Sequence, residues 1–411
     1  MATQGTPSIL FTNTQPQQGF RLLEIPPELE DLLTSKDAPA LELKSPSAAL
    51  AHAVADASGQ EYVNLCTPTQ TYRIRQVMSS NSLHIVRPSE GQISKADIKI
   101  VEDEVGESGA LNLPDEAVTA IAKCGSTLEL HIPPGGFSAV PFLEKSLALY
   151  DRRLGDDDGD IAMDESEALG PDGIKRLRDQ VCADIPVSAA QCETGWVEIC
   201  AFVDERMKIC WRPSLRMKIE VWKRMVEGAL LQGIDLEKQF LIGDLWKAVL
   251  DDDESEPFPR GLLEGVVRRL CVPDERPVLA DEIKCEFVNW VSHLNASDLI
   301  FDKASFDKTD VTKWLGETYL ASIAPTASSA VGRSEFLRSW KDCLPEAWRG
   351  EATLSKLPDG CYRSPDPTTI FYVEPSQRQH VSKSSTAASS TAAKAKTTRN
   401  WHELLKNSSR R

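Results

Sequence analysis

The sequence predicts an α+β protein in which a β-rich N-terminal unit, residues 19–135, precedes a mostly helical half. The first observation is that apolar and polar residues alternate at period two in three stretches, residues 20–33, 40–46 and 61–87. Such alternation, with β-branched residues and short polar breaks, is typical of antiparallel strands. The second is that apolar spacing becomes helical from Ile174 onward, after a Pro-Pro-Gly-Gly boundary at residues 133–136.

The β-rich unit is predicted to follow a flexible leader, residues 1–18. Residues 96–102 and 126–132 add two candidate strands to the three alternating stretches. Residues 45–59 are polar and alanine-rich, which predicts a loop or a short helix. Residues 103–124 fit no part of this strand pattern.

Helical spacing begins in Ala139–Tyr150 and returns in Ile174–Val181. Ser188 is a suitable N-cap for a helix through Cys192, because its hydroxyl can accept from the free N–H groups of the first turn. Trp196–Cys200 and Met207–Trp211 are predicted as two strands around a turn at residues 204–206. Helix, helix, hairpin is the order of a winged helix.

The helical pattern recurs twice more, although the sequences do not repeat by identity. The second set is Lys218–Leu230, Leu236–Leu250 and Leu262–Leu270; the third is Glu282–Leu294, Asp310–Ala321 and Arg333–Cys343. The third set is predicted to end in a hairpin, with Ala352–Leu357 and Ile370–Val373 as strands and the turn at residues 358–360.

Two acidic runs, residues 155–170 and 251–256, are predicted to be solvated loops, the first a disordered insert. A calcium loop is excluded in the first run, because glycine is missing from the sixth position that such a loop requires. The tail, residues 376–411, has eight Lys or Arg and one acid, and too little apolar surface to order itself. In the tail, Trp401 and two leucines at helical spacing either dock into a partner's groove or form a terminus without a partner.

The composition argues against an enzyme and against a disulfide-stapled protein. Ten cysteines occur without a Cys-x-x-Cys pair, so reduced, buried thiols are expected. Six histidines lack metal-ligand spacing, and no glycine-rich phosphate loop is present. We therefore expect no catalytic residue, no cofactor and no metal.

The charge and the N-terminus bear on partners and location. A net charge of −16 argues against a protein that coats nucleic acid non-specifically. The first residues contain no early basic group and no long apolar core, which argues against secretion or mitochondrial import. No apolar run is long enough to span a bilayer, so no membrane partner is expected.

The motifs of both halves resemble the Dcc family of sister chromatid cohesion proteins. The N-terminal resemblance lies in Phe-Arg-Leu-Leu-Glu-Ile at residues 20–25, Leu-Glu-Leu-Lys at 41–44, Asn-Leu-Cys-Thr at 64–67, Thr-Tyr-Arg-Ile-Arg at 71–75 and Ser-Asn-Ser-Leu at 80–83. A second block, Phe-Leu-Arg-Ser-Trp at residues 336–340 followed by Leu-Pro-Glu at 344–346, extends it over most of the chain. The first block is the more specific of the two.

The resemblance implies a nuclear, non-catalytic subunit of an alternative replication factor C clamp loader that works on the sliding clamp PCNA. It implies an N-terminal domain that completes a joint β-barrel with a small cohesion subunit and the C-terminus of the large clamp-loader subunit. It also implies a hook of three winged-helix modules, which we place at residues 136–213, 214–278 and 279–375. Partners would be the catalytic subunit of DNA polymerase epsilon and single- or double-stranded DNA with little sequence preference, with PCNA contacted indirectly.

Candidate DNA contacts are basic residues of the second and third modules, because basic side chains of such modules hold phosphates. In the third module, Arg333, Arg338 and Lys341 lie on the predicted groove helix and Arg349, Lys356 and Arg363 around the wing. The second module contributes a basic cluster: Arg216, Lys218, Lys223 and Arg224.

Candidate partner contacts are mostly aromatic or aliphatic. They are Tyr62, Tyr72, Ile74, Leu83 and Ile85 in the β-rich unit, Trp196 and Trp211 on the predicted wing of the first module, and Trp401 in the tail. Because side chains alternate along a strand, only half of the first group is expected on one face. The two wing tryptophans either meet the polymerase or belong to the core.

The alternative hypothesis is a stand-alone winged-helix transcription regulator that dimerises through its β domain. Such a protein would form a homodimer and prefer one DNA sequence. The clamp-loader hypothesis predicts a heteromer with little sequence preference.

Overall fold

A computed structural model describes residues 10–13, 17–47, 62–88, 117–152, 169–250, 255–271, 303–375 and 377–378. The chain divides into two compact units. The N-terminal unit holds the described residues of Met1–Phe142 together with Cys182–Thr194, and the C-terminal unit holds those of Leu143–Val181 and Gly195–Arg411.

The N-terminal unit is built on one six-stranded sheet, which confirms that this part of the chain is β-rich. Two short strands at one side, β1 and β2, both pair with β6, and the order continues β5, β4, β3. The strands are β1 (Leu10–Asn13), β2 (Leu22–Glu24), β3 (Glu42–Lys44), β4 (Asn64–Cys66), β5 (Thr71–Pro88) and β6 (Ala117–His131).

The sheet is mixed rather than antiparallel, and the described strands do not close into a barrel. β1 and β2 run parallel to β6, whereas β3, β4, β5 and β6 pair with one another in antiparallel order. The antiparallel prediction was therefore wrong for β2, and β1 is a strand within residues 1–18, which were predicted to be a flexible leader. Parallel pairing is possible because a long stretch of chain separates these strands from β6, which a short hairpin turn could not provide.

The first alternating stretch contains a helix that the sequence did not predict. Only Leu22–Glu24 forms a strand, and α1 (Pro27–Thr34) follows directly after Pro26. Proline is favoured at the first helical position, since its missing N–H has no partner there in any helix. Leu29 anchors α1 and is fully buried.

β6 begins at Ala117, inside the 103–124 stretch that showed no strand pattern. Its first half, Ala117–Cys124, is rich in alanine, which has a weak preference for strands and gives no clear alternation. The second half confirms the predicted strand at residues 126–132. Residues 96–102 and most of 45–59 lie outside the described residues.

The helices after the sheet largely follow the predicted spacing. They are α2 (Val140–Ser146), α3 (Pro171–Ala183), α4 (Ala189–Glu198), α5 (Leu215–Gln232), α6 (Ile242–Val249), α7 (Arg260–Leu270), α8 (Lys308–Ile323) and α9 (Arg333–Asp342). Ser188 caps α4 as predicted, accepting a hydrogen bond from Gln191 N at 3.2 Å. The predicted helix at Glu282–Leu294, most of the tail and most of both acidic runs lie outside the described residues.

Three small sheets accompany these helices. The first has the order β7 (Ala148–Tyr150), β9 (Ile209–Pro213), β8 (Phe202–Asp204), with β7 parallel to β9. In the second, β10 (Phe240–Leu241) pairs with β11 (Lys303–Ala304), and Cys271 bridges to Phe306. The third is antiparallel, with the order β12 (Val331–Gly332), β14 (Thr369–Tyr372), β13 (Tyr362–Arg363).

Four predicted strand and helix assignments are wrong, and one of them is the start of the predicted helix Leu236–Leu250, where strand β10 precedes α6. Trp196–Cys200 is not a strand, because α4 runs to Glu198 and the hairpin begins at Phe202. Ala352–Leu357 forms no strand but a bend and a 3-10 turn, so the hairpin loop is residues 364–368 rather than 358–360. Ala148–Tyr150, the last part of the predicted helix Ala139–Tyr150, forms strand β7 instead.

The described residues of the C-terminal unit share an apolar core, and Trp222 of α5 is fully buried in it. The Trp222 ring stacks on Trp348 and tilts against Phe306, and its Nε1 donates to the Cys343 carbonyl at 2.9 Å. The core therefore joins α5 to the segments that follow α9. Among the described helices, none combines the length and apolarity needed to cross a bilayer.

Candidate partner-binding sheet and nucleic-acid interface

In the described part of the chain, one side of β5 lacks a strand partner along most of its length. On this side β4 pairs only with residues 71–73, and Ile74 N donates to Val63 O at 3.0 Å. Beyond Ile74, no strand in the described part of the chain pairs with this side up to Pro88. The opposite side is paired with β6 from Arg73 to Pro88, except at residues 79–82. We call the segment Arg75–Pro88 the open side of β5.

The register of β5 against β6 decides which candidate residues share a face. Residues directly opposite each other in a sheet point to the same face. Ile74 lies opposite Leu130, Leu83 opposite Cys124 and Ile85 opposite Ala122. The three partners in β6 are separated by even numbers of residues, so their side chains point to the same face of the sheet. Ile74, Leu83 and Ile85 therefore project from that face as well.

A bulge makes this possible. Four residues of β5, 79–82, stand opposite a single residue of β6 between the Met78–Ser126 and Leu83–Cys124 pairs. The insertion shifts the alternation of β5 and brings the second half of the strand onto the face of the first. Tyr72 shares this face with Ile74, so the expectation that only half of these candidates face one side was wrong.

This shared face is mostly apolar, with a hydrogen bond from Gln76 to Ser126 on it, and it is only partly covered. Met78 and Leu83 are 74% and 48% exposed, whereas Ala122 and Cys124 in β6 are buried. Tyr72 is half-buried, and burial, with the nearby Glu28, raises the pKa of its hydroxyl. Tyr62 lies before β4, with the Arg73 guanidinium carbon 4.1 Å from its ring centroid.

The two candidate tryptophans of the first module are placed differently from the prediction. Trp196 lies on α4, not on a hairpin, and is 3% exposed, with Arg178 near its ring. Trp211 lies on β9 and packs edge-on against Tyr150 with the ring centroids 5.9 Å apart. The core alternative accounts for both side chains. Trp401 lies outside the described residues.

The basic cluster of α5 is largely engaged within the protein. Arg216 Nη2 lies 3.0 Å from Asp151 Oδ1, and Arg216 Nη1 lies 3.0 Å from Glu220 Oε1. The side chain of Lys223 interacts with the Cys343 thiol. Lys218 and Arg224 are half-buried on the same helix. The sequence pattern missed Asp151 as a partner because it lies far away in the chain.

The third sheet and α9 present three basic side chains to solvent. Arg338, Lys341 and Arg363 are exposed, and within the described residues they have neither an ion pair nor a hydrogen-bond partner. Phe336 and Trp340 hold the opposite face of α9 in the core. This spacing aims Arg338 and Lys341 away from the core.

The remaining basic candidates of this region have partners. Arg333 Nη2 donates to Ser364 Oγ at 2.6 Å, Arg349 Nε donates to Leu344 O at 3.4 Å, and Lys356 Nζ lies 3.3 Å from Glu351 Oε2. Arg349 and Lys356 precede β13 in 3-10 turns and are not part of the β13–β14 loop. The sequence placed them around the wing because it put the turn too early.

The β13–β14 loop, residues 364–368, is organised by a side chain that the sequence pattern did not single out. Asp366 Oδ1 accepts from the backbone N–H groups of Thr368 and Thr369 at 2.8 and 2.9 Å, and its carboxylate also accepts from both hydroxyls. These hydrogen bonds hold the pKa of Asp366 well below its usual value. The local signal that could have indicated this turn is the Pro-Asp-Pro-Thr sequence at residues 365–368, in which an aspartate stands two residues before a threonine.

The described residues offer little for covalent or metal chemistry. Burial raises the pKa of the Cys66, Cys200 and Cys343 thiols, so these groups stay protonated and unreactive. Among the described side chains, no group of three His, Cys, Asp or Glu is arranged to hold a metal ion. What the described surfaces present is an open strand and exposed cations.

Comparison with known proteins places the chain in a family. No curated protein sequence matches the chain. The family model described as sister chromatid cohesion protein Dcc1 matches residues 20–378, which include most of the sheet of the N-terminal unit, α9 and the β13–β14 loop. The match covers nearly the whole chain, and the protein therefore belongs to the Dcc1 family of sister chromatid cohesion proteins.

Proposed function

We propose that this cohesion protein is a non-catalytic nuclear subunit of an alternative clamp loader for PCNA, and that it links the loader to DNA polymerase epsilon and to DNA. The observation that carries the proposal is the open side of β5. Its apolar side chains, and a backbone side with which no described strand pairs, can accept strands from the small cohesion subunit and from the C-terminus of the large subunit. A joint barrel would give these edges the partners that the described part of the chain does not supply.

The element order of the C-terminal unit supports winged-helix modules in this proposal. From α5 to β11 the order of the described elements is helix, strand, helix, helix, strand, and from α8 to β14 it is helix, strand, helix, 3-10 turns, strand, strand. In both, the first strand pairs with the last. The β13–β14 loop would then be the wing of the third module.

Contact with DNA is proposed for the third module, through Arg338, Lys341 and Arg363. These exposed cations can hold phosphates without first breaking an ion pair of the described residues. Arg216 is assigned a structural role instead, since Asp151 and Glu220 already neutralise it. The first module is proposed to serve the polymerase through surface other than Trp196.

The assembly is tested by co-purifying the full chain with the small cohesion subunit and the C-terminal segment of the large subunit. Light scattering should give the mass of a one-to-one-to-one heterotrimer. Leu83→Asp and Ile85→Asp should abolish assembly, because a carboxylate would be desolvated on the joined face. Leu231→Asp, at a residue 83% exposed on α5, is the matched control and should assemble normally. A homodimer that binds neither subunit would support the transcription-regulator hypothesis instead.

The DNA contact is tested by fluorescence anisotropy with duplex and single-stranded probes of two unrelated sequences. The triple variant Arg338→Glu, Lys341→Glu, Arg363→Glu should weaken binding to all probes and flatten its salt dependence, because three phosphate contacts are lost. A control variant, Lys36→Glu, Lys123→Glu, Lys145→Glu, changes the net charge by the same amount as the test variant. If this control weakens binding as much, the contact is not local to the third module.

A further inference from the structure

The β13–β14 loop carries a serine whose surroundings suit a phosphate. Ser364 is followed by Pro365, and all residues from Ser364 to Thr368 are exposed. A serine before a proline is the acceptor that proline-directed kinases recognise. Ser45, before Pro46, is also exposed, whereas Thr67, before Pro68, is buried. Exposure alone therefore does not distinguish Ser364 from Ser45.

What distinguishes Ser364 is a guanidinium already in contact with its hydroxyl. Arg333 Nη2 donates to Ser364 Oγ at 2.6 Å, and Arg333 N donates to the Thr368 carbonyl of the same loop at 2.8 Å. Arg333 Nε is buried and has no hydrogen-bond partner within the described residues. A buried donor without an acceptor costs free energy, and an acceptor group with several oxygens would remove that cost.

A second cation and one carboxylate complete the surroundings. Arg363 directly precedes Ser364 and is exposed without a partner within the described residues. Asp366 is two residues away, but its carboxylate accepts from Thr368 and Thr369, and it does not neutralise Arg333. The two arginines and the aspartate leave the loop one positive charge in excess.

We propose that Ser364 is a phosphorylation site for a proline-directed protein kinase, and that Arg333 holds the resulting phosphate. The Ser364 oxygen attacks the γ-phosphorus of ATP, the bond to the β-phosphate oxygen breaks and ADP leaves, while the hydroxyl proton passes to the kinase. The product has three acceptor oxygens where the serine had one. Guanidinium and phosphate form paired, charge-assisted hydrogen bonds, and Arg333 has the spare donor for the second of these.

The modification would switch off the DNA contact of the third module, an effect that rests on the proposed function. A phosphate with about two negative charges changes the excess charge of the loop from positive to negative. Arg363 would then face a neighbouring phosphate instead of DNA. We expect duplex binding to weaken by about tenfold, equivalent to about 1.4 kcal/mol.

The site itself is tested on the folded full-length chain with a cyclin-dependent kinase and ATP, mapping phosphate by mass spectrometry. Phosphorylation of Ser364 is expected, and Ser364→Ala should remove it. If the kinase modifies a peptide spanning residues 358–370 but leaves Ser364 untouched in the folded chain, the proposal is overturned.

The contact with Arg333 is tested by placing phosphoserine genetically at residue 364 or, as the matched control, at residue 45. Phosphorus NMR should give a phosphate pKa at residue 364 lower than at residue 45 by about 0.5–1 unit, since a neighbouring cation favours the doubly charged form. Arg333→Gln should return it to the control value, although Arg363 and Asp366 remain. Equal pKa values at the two sites would refute the proposed contact.

Anisotropy with the same two phosphoproteins separates this inference from the proposed function. Weaker duplex binding with phosphoserine 364 and unchanged binding with phosphoserine 45 supports both. If the unmodified chain binds no DNA, the DNA contact fails, while phosphate mapping and the NMR titration still decide the site.

Discussion

Thr71 is an example of one hydroxyl that joins distant parts of the N-terminal unit. It is fully buried, donates to Gln191 Oε1 at 2.6 Å and accepts from Ser188 N at 2.7 Å. Nearby, Asn64 Nδ2 donates to Pro186 O at 2.7 Å. The Thr-Tyr motif of the family is therefore a structural contact to the segment Cys182–Thr194.

Thr71→Val is predicted to destabilise the protein by about 1–3 kcal/mol, because it removes one hydrogen bond to Gln191 Oε1 and leaves the Ser188 N–H with only a 3.4 Å contact to that oxygen. Thr69→Val is the control, since its hydroxyl makes no such bonds, and should change stability by no more than about 0.5 kcal/mol. Urea denaturation measures both. Equal effects of the two variants would contradict this role of Thr71.

The buried thiol of Cys361 makes the stability of the C-terminal unit depend on pH in the alkaline range. Its side chain is fully buried, and burial, with the nearby Glu317, raises the pKa of its thiol from 9.0 to about 11. The unfolded chain loses this proton near pH 9 while the folded chain keeps it. The stabilisation is therefore fully present below pH 9 and is lost as the pH rises to about 11.

The measurement is the urea midpoint at several pH values between 8 and 11. Cys361→Ala should reduce the decline between pH 9 and 11, although Tyr372, whose pKa is raised to about 12 by burial and Glu317, still contributes above pH 10. The two proteins should have parallel profiles below pH 9. An unchanged alkaline decline in the variant would show that Cys361 has no part in it.

At the scale of elements, α5 and α6 approach each other closely at a glycine. A Cβ built on Gly228 of α5 would collide with the Ala248 carbonyl oxygen of α6, and its carbonyl carbon would lie 2.8 Å away. The obstacle is backbone, which cannot move aside as a flexible side chain would. Gly228 is therefore what allows these two helices to pack.

Gly228→Ala is predicted to destabilise the protein by about 1–3 kcal/mol, despite the higher helix propensity of alanine, because the helices must separate. Gly243→Ala on α6 is the matched control, since no atom lies within 4 Å of its built Cβ. It should be neutral or stabilising by up to about 1 kcal/mol. Thermal or urea unfolding of both variants decides the point, and a stabilising Gly228→Ala would contradict it.

At the scale of the whole molecule, the N-terminal unit is discontinuous in sequence. Cys182–Thr194 belongs to it, although the sequence places its end at residue 135. A fragment of residues 17–142 should therefore have a lower urea midpoint and aggregate more than one of residues 17–200, because Asn64 and Thr71 lose their partners. Equal stability of the two fragments, by denaturation and light scattering, would show that the later segment is dispensable.

The sequence by itself determined the β-rich and helical halves, most helix positions, the Ser188 cap and the family. These depend on local periodicity, capping chemistry and short motifs, which are complete within a few residues of the chain. α5, α7, α8 and α9 confirm this within a few residues at their ends.

Only the tertiary structure decided the shared face of Ile74 and Leu83, the burial of Trp196, the ion pairs of Arg216 and the contact between Arg333 and Ser364. Each depends on register or on residues far apart in the chain. A bulge of a few residues reverses which face a strand presents, and local alternation cannot reveal it. Likewise, a basic residue is free or engaged according to which distant carboxylate the fold brings beside it.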